Sequence, residues 1–233
     1  MSIYYQIAMD GPAGAGKSTI ARSLAKKIGF TYVNSGGLYR CFAIAIRDAA
    51  IDTNNINEIV RLITETRVRQ LGDKFFLNDQ DVSERCYTKD ISAFVPVISK
   101  IPEIRVACSE SQEAIARSTN IVIEGRDTTT VMFPNALLKA YVTADPKLRA
   151  QRRWEQSGRT SSLDDILIDL LKRDEADMTR TISPLKQAED AIFLDTTGKS
   201  IDECVNFLFD ELNKIIKRKG VTVNLHPHVH HHK

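Results

Sequence analysis

Asp10-Gly-Pro-Ala-Gly-Ala-Gly-Lys-Ser-Thr19 is the stretch whose reading decides the fold. Gly11 to Ser18 has the spacing G-x-x-x-x-G-K-S, the pattern of a loop that wraps a phosphate. Upstream, Ile3 to Met9 is short and apolar and ends at Asp10-Gly11, as a buried strand does. Downstream, Ile20, Leu24 and Ile28 recur every four residues, which predicts a helix over Lys17 to Ile28. In this strand–loop–helix context the glycines let successive backbone N–H groups turn inward around an anion. The helix adds its positive N-terminal end, Lys17 a mobile cation, and Ser18 a hydroxyl suited to Mg²⁺.

Outward from this unit, strand and helix alternate. Thr31 to Val33 reads as a second strand and Gly37 to Ala50 as a second helix, a succession that favours an α/β fold with a parallel sheet covered on both faces. From about Arg67 to Thr88 the pattern shortens, with turn residues at Gly72-Asp73 and Asn78-Asp79, and predicts a small antiparallel insert. Helical spacing returns over Pro102 to Arg117, followed by strands at Ile121 to Ile123 and Leu137 to Val142. Ala144 to Ser157, carrying Arg149, Arg152 and Arg153, reads as helix. So does the stripe Leu163, Ile166, Leu167, Leu170 and Leu171. The polar stretch Gln156 to Ser162 between them suits a mobile lid. A last strand at Ala191 to Leu194 precedes an amphipathic helix from Ile201 to Ile216.

Composition excludes several classes. The 233 residues are 42% hydrophobic and 27% charged, as in ordinary globular chains, and no apolar run is long enough to span a bilayer. No signal peptide is visible at the N-terminus, so a cytoplasmic location is expected. The four cysteines, Cys41, Cys86, Cys108 and Cys204, include no C-x-x-C pair and read as buried free thiols. A net charge of +2 argues against a broad nucleic-acid-binding face and points to small-molecule partners. All five histidines fall within 226–233, a tract that reads as an added tag or a disordered tail. The remaining chain has no histidine, so a His-based triad is ruled out.

A phosphate loop alone does not distinguish a kinase from a GTPase or a switch module. No Asn-Lys-x-Asp guanine-recognition segment occurs, but Arg40, Arg105, Arg126, Arg173 and Arg180 stand in separate segments. Phosphoryl transfer between two anions needs cations on both, because positioning and charge neutralisation do most of the catalysis. Arg173, Asp177 and Arg180, at i, i+4 and i+7, are expected on one helix face. A nucleotide-binding switch module whose arginines meet a protein partner remains open at this point.

Several motifs together resemble bacterial cytidylate kinase, a P-loop nucleoside monophosphate kinase. They are Asp10-Gly-Pro-x-Gly-x-Gly-Lys-Ser-Thr19, Ser35-Gly-x-x-Tyr39-Arg40, Pro102-x-x-Arg105, Gly125-Arg126-Asp127, and Arg173-Asp-x-x-Asp177-x-x-Arg180 followed by Pro184-Leu185. Ala191-Ile-Phe-Leu-Asp195-Thr196-Thr197 fits as well, and the likeness runs from about residue 3 to 216.

The resemblance implies a P-loop NTPase core with a five-stranded parallel sheet flanked by helices, an antiparallel insert in the monophosphate-binding region and a helical lid. It implies a single domain over 1–225, with core segments near 1–55, 102–147 and 190–217, the insert near 56–101 and the lid near 148–183. Gly11, Pro12, Ala13, Gly14, Ala15, Gly16, Lys17, Ser18 and Thr19 would hold the ATP phosphates, with Ser18 on Mg²⁺. Arg40 and Arg126 would hold the acceptor phosphate, Arg105 and Asp127 would face the cytosine edge, and Ser35 and Tyr39 would complete the acceptor group. Arg173 and Asp177 would meet the acceptor sugar, and Arg180 would reach the transferring phosphate. Lys17, Arg126, Asp127, Arg173 and Arg180 form the implied catalytic set. The implied reaction is ATP + CMP or dCMP ⇌ ADP + CDP or dCDP, by a cytoplasmic monomer. A kinase for another monophosphate, UMP first, is the alternative.

Four positions depart from the family pattern. Asn34 stands where aspartate is usual, Thr129 where a glycine usually follows Gly-Arg-Asp, and Tyr87 where arginine is common. Pro96 aligns with a serine whose hydroxyl helps read the base, and proline supplies no donor.

Overall fold

The structure, a computed structural model, describes residues 3–225. The expected His-rich tail at 226–233 lies outside the described residues. The chain opens with β1 (Gln6–Asp10), α1 (Lys17–Ile28) and β2 (Thr31–Asn34). It continues through α2 (Ser35–Asp48), α3 (Ile56–Glu65), the strands β3 (Val68–Leu71), β4 (Lys74–Leu77) and β5 (Gln80–Asp81), then α4 (Lys89–Ile98) and α5 (Pro102–Ala116). After β6 (Ile121–Gly125) come β7 (Leu138–Thr143), α6 (Pro146–Gln156), α7 (Leu163–Thr179), β8 (Ile192–Asp195) and α8 (Ile201–Lys219). Two compact units result among the described residues, one formed by 3–32 and 118–225, the other by Val33–Arg117.

The first unit is built on a five-stranded parallel sheet in the order β2-β6-β1-β7-β8. β1 is central and pairs in parallel with β6 (Asp10 opposite Gly125) and with β7 (Asp10 opposite Tyr141). Such a strand is covered on both faces, which is why Ile7, Ala8 and Met9 are all fully buried. The four-residue ladder of α1 works as its spacing requires: Ile20, Leu24 and Ile28 are fully buried and pack with Cys204, Leu208 and Leu212 of α8. α8 begins at Ser200, whose side chain accepts from Glu203 N, and ends at Gly220 behind Lys217, Arg218 and Lys219, so both ends suit the helix dipole.

α7 departs from the sequence reading on two counts. Of the apolar stripe only Leu170 is fully buried, Leu163 and Leu171 are exposed, and the other buried position is Asp174. The inward face of α7 is therefore partly ionic. The helix also stops at Thr179, leaving Arg180 as an extended C-cap residue, so Arg180 joins Arg173 and Asp177 from beyond the helix and not from its face.

The second unit holds the three-stranded antiparallel sheet β3-β4-β5. Its turns occur where the sequence places them, with Gly72, Asn78 and Asp79 all at positive φ. Phe75 of β4 lies so close to Gly37 of α2 that an added Cβ there would sit 2.0 Å from the ring. This approach requires glycine. Around it pack Leu38, Phe42, Ile44, Ile91, Ile98, Ile104 and the thiols of Cys41, Cys86 and Cys108. All four cysteines are buried thiols, none of them in a disulfide. Helix α2 starts two residues earlier than its apolar pattern suggests because Asn34 Oδ1 accepts from Gly37 N at 3.1 Å. Aspartate at residue 34 would cap in the same way.

Truncating Leu208 to alanine removes a fully buried side chain from the α1–α8 seam. The expected loss is about 2–5 kcal/mol of stability, read from the denaturant midpoint. A loss below about 1 kcal/mol would contradict this packing.

Candidate functional site

In the first unit the phosphate loop runs from the end of β1 into α1 and is pressed against β7 and α6. A Cβ on Gly11 would lie 1.9 Å from the Val142 carbonyl oxygen. Gly14, at φ +75, sits against the Arg149 backbone. Three successive loop carbonyls are held by side-chain donors: Ala13 O by Arg149 Nη1 at 3.2 Å, Gly14 O by Arg152 Nη1 at 3.2 Å, and Ala15 O by Thr196 Oγ1 at 2.9 Å. In a trans peptide the following N–H points the opposite way, so these donors fix the amides of residues 14 to 16 toward the other side of the loop.

Lys17 is almost wholly buried, and its Nζ donates to Gly11 O at 2.8 Å and Gly125 O at 3.0 Å. Burial, then the neighbouring Arg126 guanidinium, push its pKa down to about 7, while Glu124, Asp10 and Asp177 pull the other way. Beside it Ser18 Oγ donates to the buried Glu124 Oε1 at 2.8 Å, and Tyr32 Oη lies 3.3 Å from Oε2. This places a hydroxyl and a carboxylate together at the mouth of the loop.

Asp10, fully buried, joins the loop to the turn after β6. Its Oδ1 accepts from Thr128 N (2.8 Å) and Thr128 Oγ1 (2.6 Å), and its Oδ2 from Thr129 N (2.8 Å) and Thr129 Oγ1 (2.6 Å). The threonine that replaces the family's usual glycine thus supplies a fourth bond that glycine lacks. The Gly125-Arg126-Asp127 segment lies on this turn. Arg126 Nε pairs with Asp177 Oδ2 at 3.0 Å, and Arg180 Nη1 reaches Asp177 Oδ1 at 3.5 Å while its Nε donates to Ser183 O. Asp127 is buried, and Arg173 lies one turn before Asp177 on α7.

The second unit holds the other expected residues. Ser35, Tyr39, Arg40 and Arg105 are all buried. Arg105 lies over the Tyr39 ring at 5.4 Å and donates to Ser99 O, and Gln112 Nε2 donates to Ser35 Oγ at 3.0 Å. Arg40 Nη1 donates to Cys86 O at 2.6 Å and Ser92 Oγ at 2.8 Å, with its guanidinium over the Tyr87 ring at 5.1 Å. Tyr87, where an arginine is common, therefore shelves Arg40. Pro96 lies inside α4.

Sequence reading missed Glu124, Arg149, Arg152, Thr128 and Thr196 as functional neighbours. Only Glu124, an acid closing an apolar strand, carried a local signal. The others act through loop carbonyls or a buried carboxylate, which no spacing rule displays.

A parallel sheet with a lysine-bearing phosphate loop at the end of its central strand, and arginines gathered near it, defines the class of P-loop phosphotransferases. The family model for cytidylate kinase matches residues 7–214. The cytidylate kinase of Carboxydothermus hydrogenoformans is 42% identical over 222 residues, covering 92% of this chain and 98% of that protein. That of Mycoplasma pneumoniae is 33% identical over 219 residues, covering 92% and 100%. A solved but uncharacterized protein from Eubacterium ventriosum shares the fold at a TM-score of 0.53 and 12% identity, over 90% of this chain and 98% of that one. The chain belongs to the cytidylate kinase family.

The lowered Lys17 pKa has a measurable consequence. A phosphate placed beside a lysine whose pKa is lowered to about 7 would favour its charged form, so binding there is expected to take up a proton as pH rises above that value. Calorimetry of ATP binding in buffers of different ionisation enthalpy should show uptake growing from pH 6 to pH 8.5, with affinity falling by up to tenfold per unit. Uptake that does not change with pH would contradict the assignment.

Proposed function

We propose that this chain transfers the γ-phosphate of ATP to CMP or dCMP, giving ADP and CDP or dCDP. The reading is carried by the buried Lys17 within a rigidly braced phosphate loop, in a chain of the cytidylate kinase family. Gly11 to Thr19 bind the donor phosphates. Arg40 and Arg126 bind the acceptor phosphate, Ser35, Tyr39, Arg105 and Asp127 bind around its base, and Arg173 and Asp177 bind its sugar. Arg126 and Arg180 are both held by Asp177, so the acceptor and the transferring phosphate would replace a carboxylate on arginines already placed to hold an anion.

No general base is needed, because the acceptor phosphate is already an anionic nucleophile, which suits a chain without histidine before residue 226. Asp127 positions the acceptor. Lys17, Arg126, Arg173 and Arg180 stabilise charge on the group in flight, and transfer is direct and in line. The Ser18 hydroxyl and Glu124 carboxylate are hard oxygen donors of the kind Mg²⁺ takes alongside nucleotide phosphates. When bound, that ion neutralises charge on the phosphates being separated. Among the described residues no group of three or more His, Cys, Asp or Glu side chains is placed to hold a metal. Closure of the α6–α7 segment over the loop would exclude water and prevent idle ATP hydrolysis. The enzyme is taken to act as a cytoplasmic monomer on small molecules. No helix among the described residues is long and apolar enough to cross a membrane.

Coupled ADP-release assays over CMP, dCMP, UMP, AMP and GMP test the reading. CMP and dCMP should be the preferred acceptors despite Pro96. UMP turning over as fast as CMP would reassign the base, and no acceptor-dependent turnover would remove the kinase. Arg126→Ala should lower kcat by roughly two to three orders of magnitude and raise the acceptor KM, with ATP binding retained.

A further inference from the structure

Arg149 of α6 is buried and makes three bonds to three different elements. Its Nε donates to Ala144 O at the root of α6 (3.1 Å), and its Nη1 donates both to Ala13 O of the phosphate loop (3.2 Å) and to Asp174 Oδ2 of α7 (2.6 Å). Asp174 is equally buried, and its other oxygen, Oδ1, has no hydrogen-bond partner among the described residues. The carboxylate therefore depends on Arg149. A buried ion pair with one lone oxygen is a costly arrangement, and well-packed apolar residues would hold α6 to α7 at least as well.

One turn farther along α7, Asp177 holds Arg126, and Arg126 follows Gly125, whose carbonyl takes Lys17 Nζ. Helix α7 is thus tied to the phosphate loop twice. The Asp177 tie is made by groups that bind phosphate and must exchange when nucleotide enters. The Arg149–Asp174 tie grips the loop by a carbonyl, whose paired amide faces the other way, so phosphate does not displace it.

We infer that Arg149, through Asp174, is a positioning residue of the phosphotransfer site: it fixes one end of α7 to the phosphate loop so that release of Asp177 delivers Arg180 to the transferring phosphate. This inference rests on the reading of the loop as the ATP site. It assigns Arg149 no contact with nucleotide. Its consequence is that loss of the tie lowers kcat with little effect on ATP binding, because ground-state contacts of the loop survive while delivery of Arg180 does not.

Trp154, the single tryptophan, reports the motion, since it lies on α6 five residues after Arg149 and its Nε1 donates to Ser161 O in the α6–α7 connection. The experiment compares the full-length protein with Asp174→Asn and Arg149→Lys, each checked for folding by circular dichroism. It follows ATP binding by calorimetry, Trp154 emission during ATP titration, and kcat and KM with CMP. The expected result is a saturable ATP-induced change in Trp154 emission in the parent. In each variant that change should fall below half, with kcat at least 10-fold lower and the ATP dissociation constant within about 3-fold.

A folded variant with kcat within 2-fold and an undiminished emission change would overturn the inference. So would an unaltered Trp154 signal in the parent while calorimetry records ATP binding, a test that needs no variant to fold. Absence of ATP binding in the parent would instead defeat the reading of the phosphate loop.

Discussion

A buried carboxylate at the end of the central strand organises the catalytic unit. Asp10 has no access to water, and its charge is stabilised by four donors from Thr128 and Thr129. Hydrogen bonds to a charged group contribute about 1.5–3 kcal/mol each, and an unsatisfied buried charge costs more, so the turn after β6 is bound to this position. That turn follows Gly125, whose carbonyl holds Lys17, and Arg126, whose guanidinium meets Asp177. The phosphate loop begins one residue after Asp10. One carboxylate therefore sets the spacing between Lys17, proposed to meet the donor phosphates, and Arg126, proposed to meet the acceptor phosphate.

Much of the electrostatics follows from where cations are kept. Burial, and after it the neighbouring Arg126 guanidinium, brings the Lys17 pKa toward neutrality. Glu124, Asp10 and Asp177 make this concentration of positive charge tolerable before any ligand arrives. A polyphosphate entering such a site meets donors already paid for in folding energy, the preorganisation that electrostatic catalysis requires.

The sequence was legible where a rule is local. The loop pattern at Gly11 to Ser18, the four-residue ladder of α1 and the turns at Gly72 and Asn78-Asp79 each depend on neighbours along the chain, and all of them form as read. Helix α3 is absent from the sequence reading although Ile56, Ile59, Val60 and Ile63 follow helical spacing, and α4 carries Pro96 in its interior, which reads against a helix. The polar interior of α7 was misread as an apolar stripe because Asp174 is stabilised there by Arg149, a partner 25 residues away. Arg180 meets Asp177 from the C-cap of α7, a position that helical spacing does not foresee. Motif likeness named the arginines, but it could not show that loop carbonyls are held by Arg149, Arg152 and Thr196.

The claim that Asp10 fixes the geometry of phosphoryl transfer is tested most directly by kcat/KM for CMP in Asp10→Asn. The substitution keeps the shape but turns an amide NH₂ toward donors that need an acceptor. A fall of about 10- to 100-fold in a folded variant is the predicted result. A value within twofold of the parent would contradict the account.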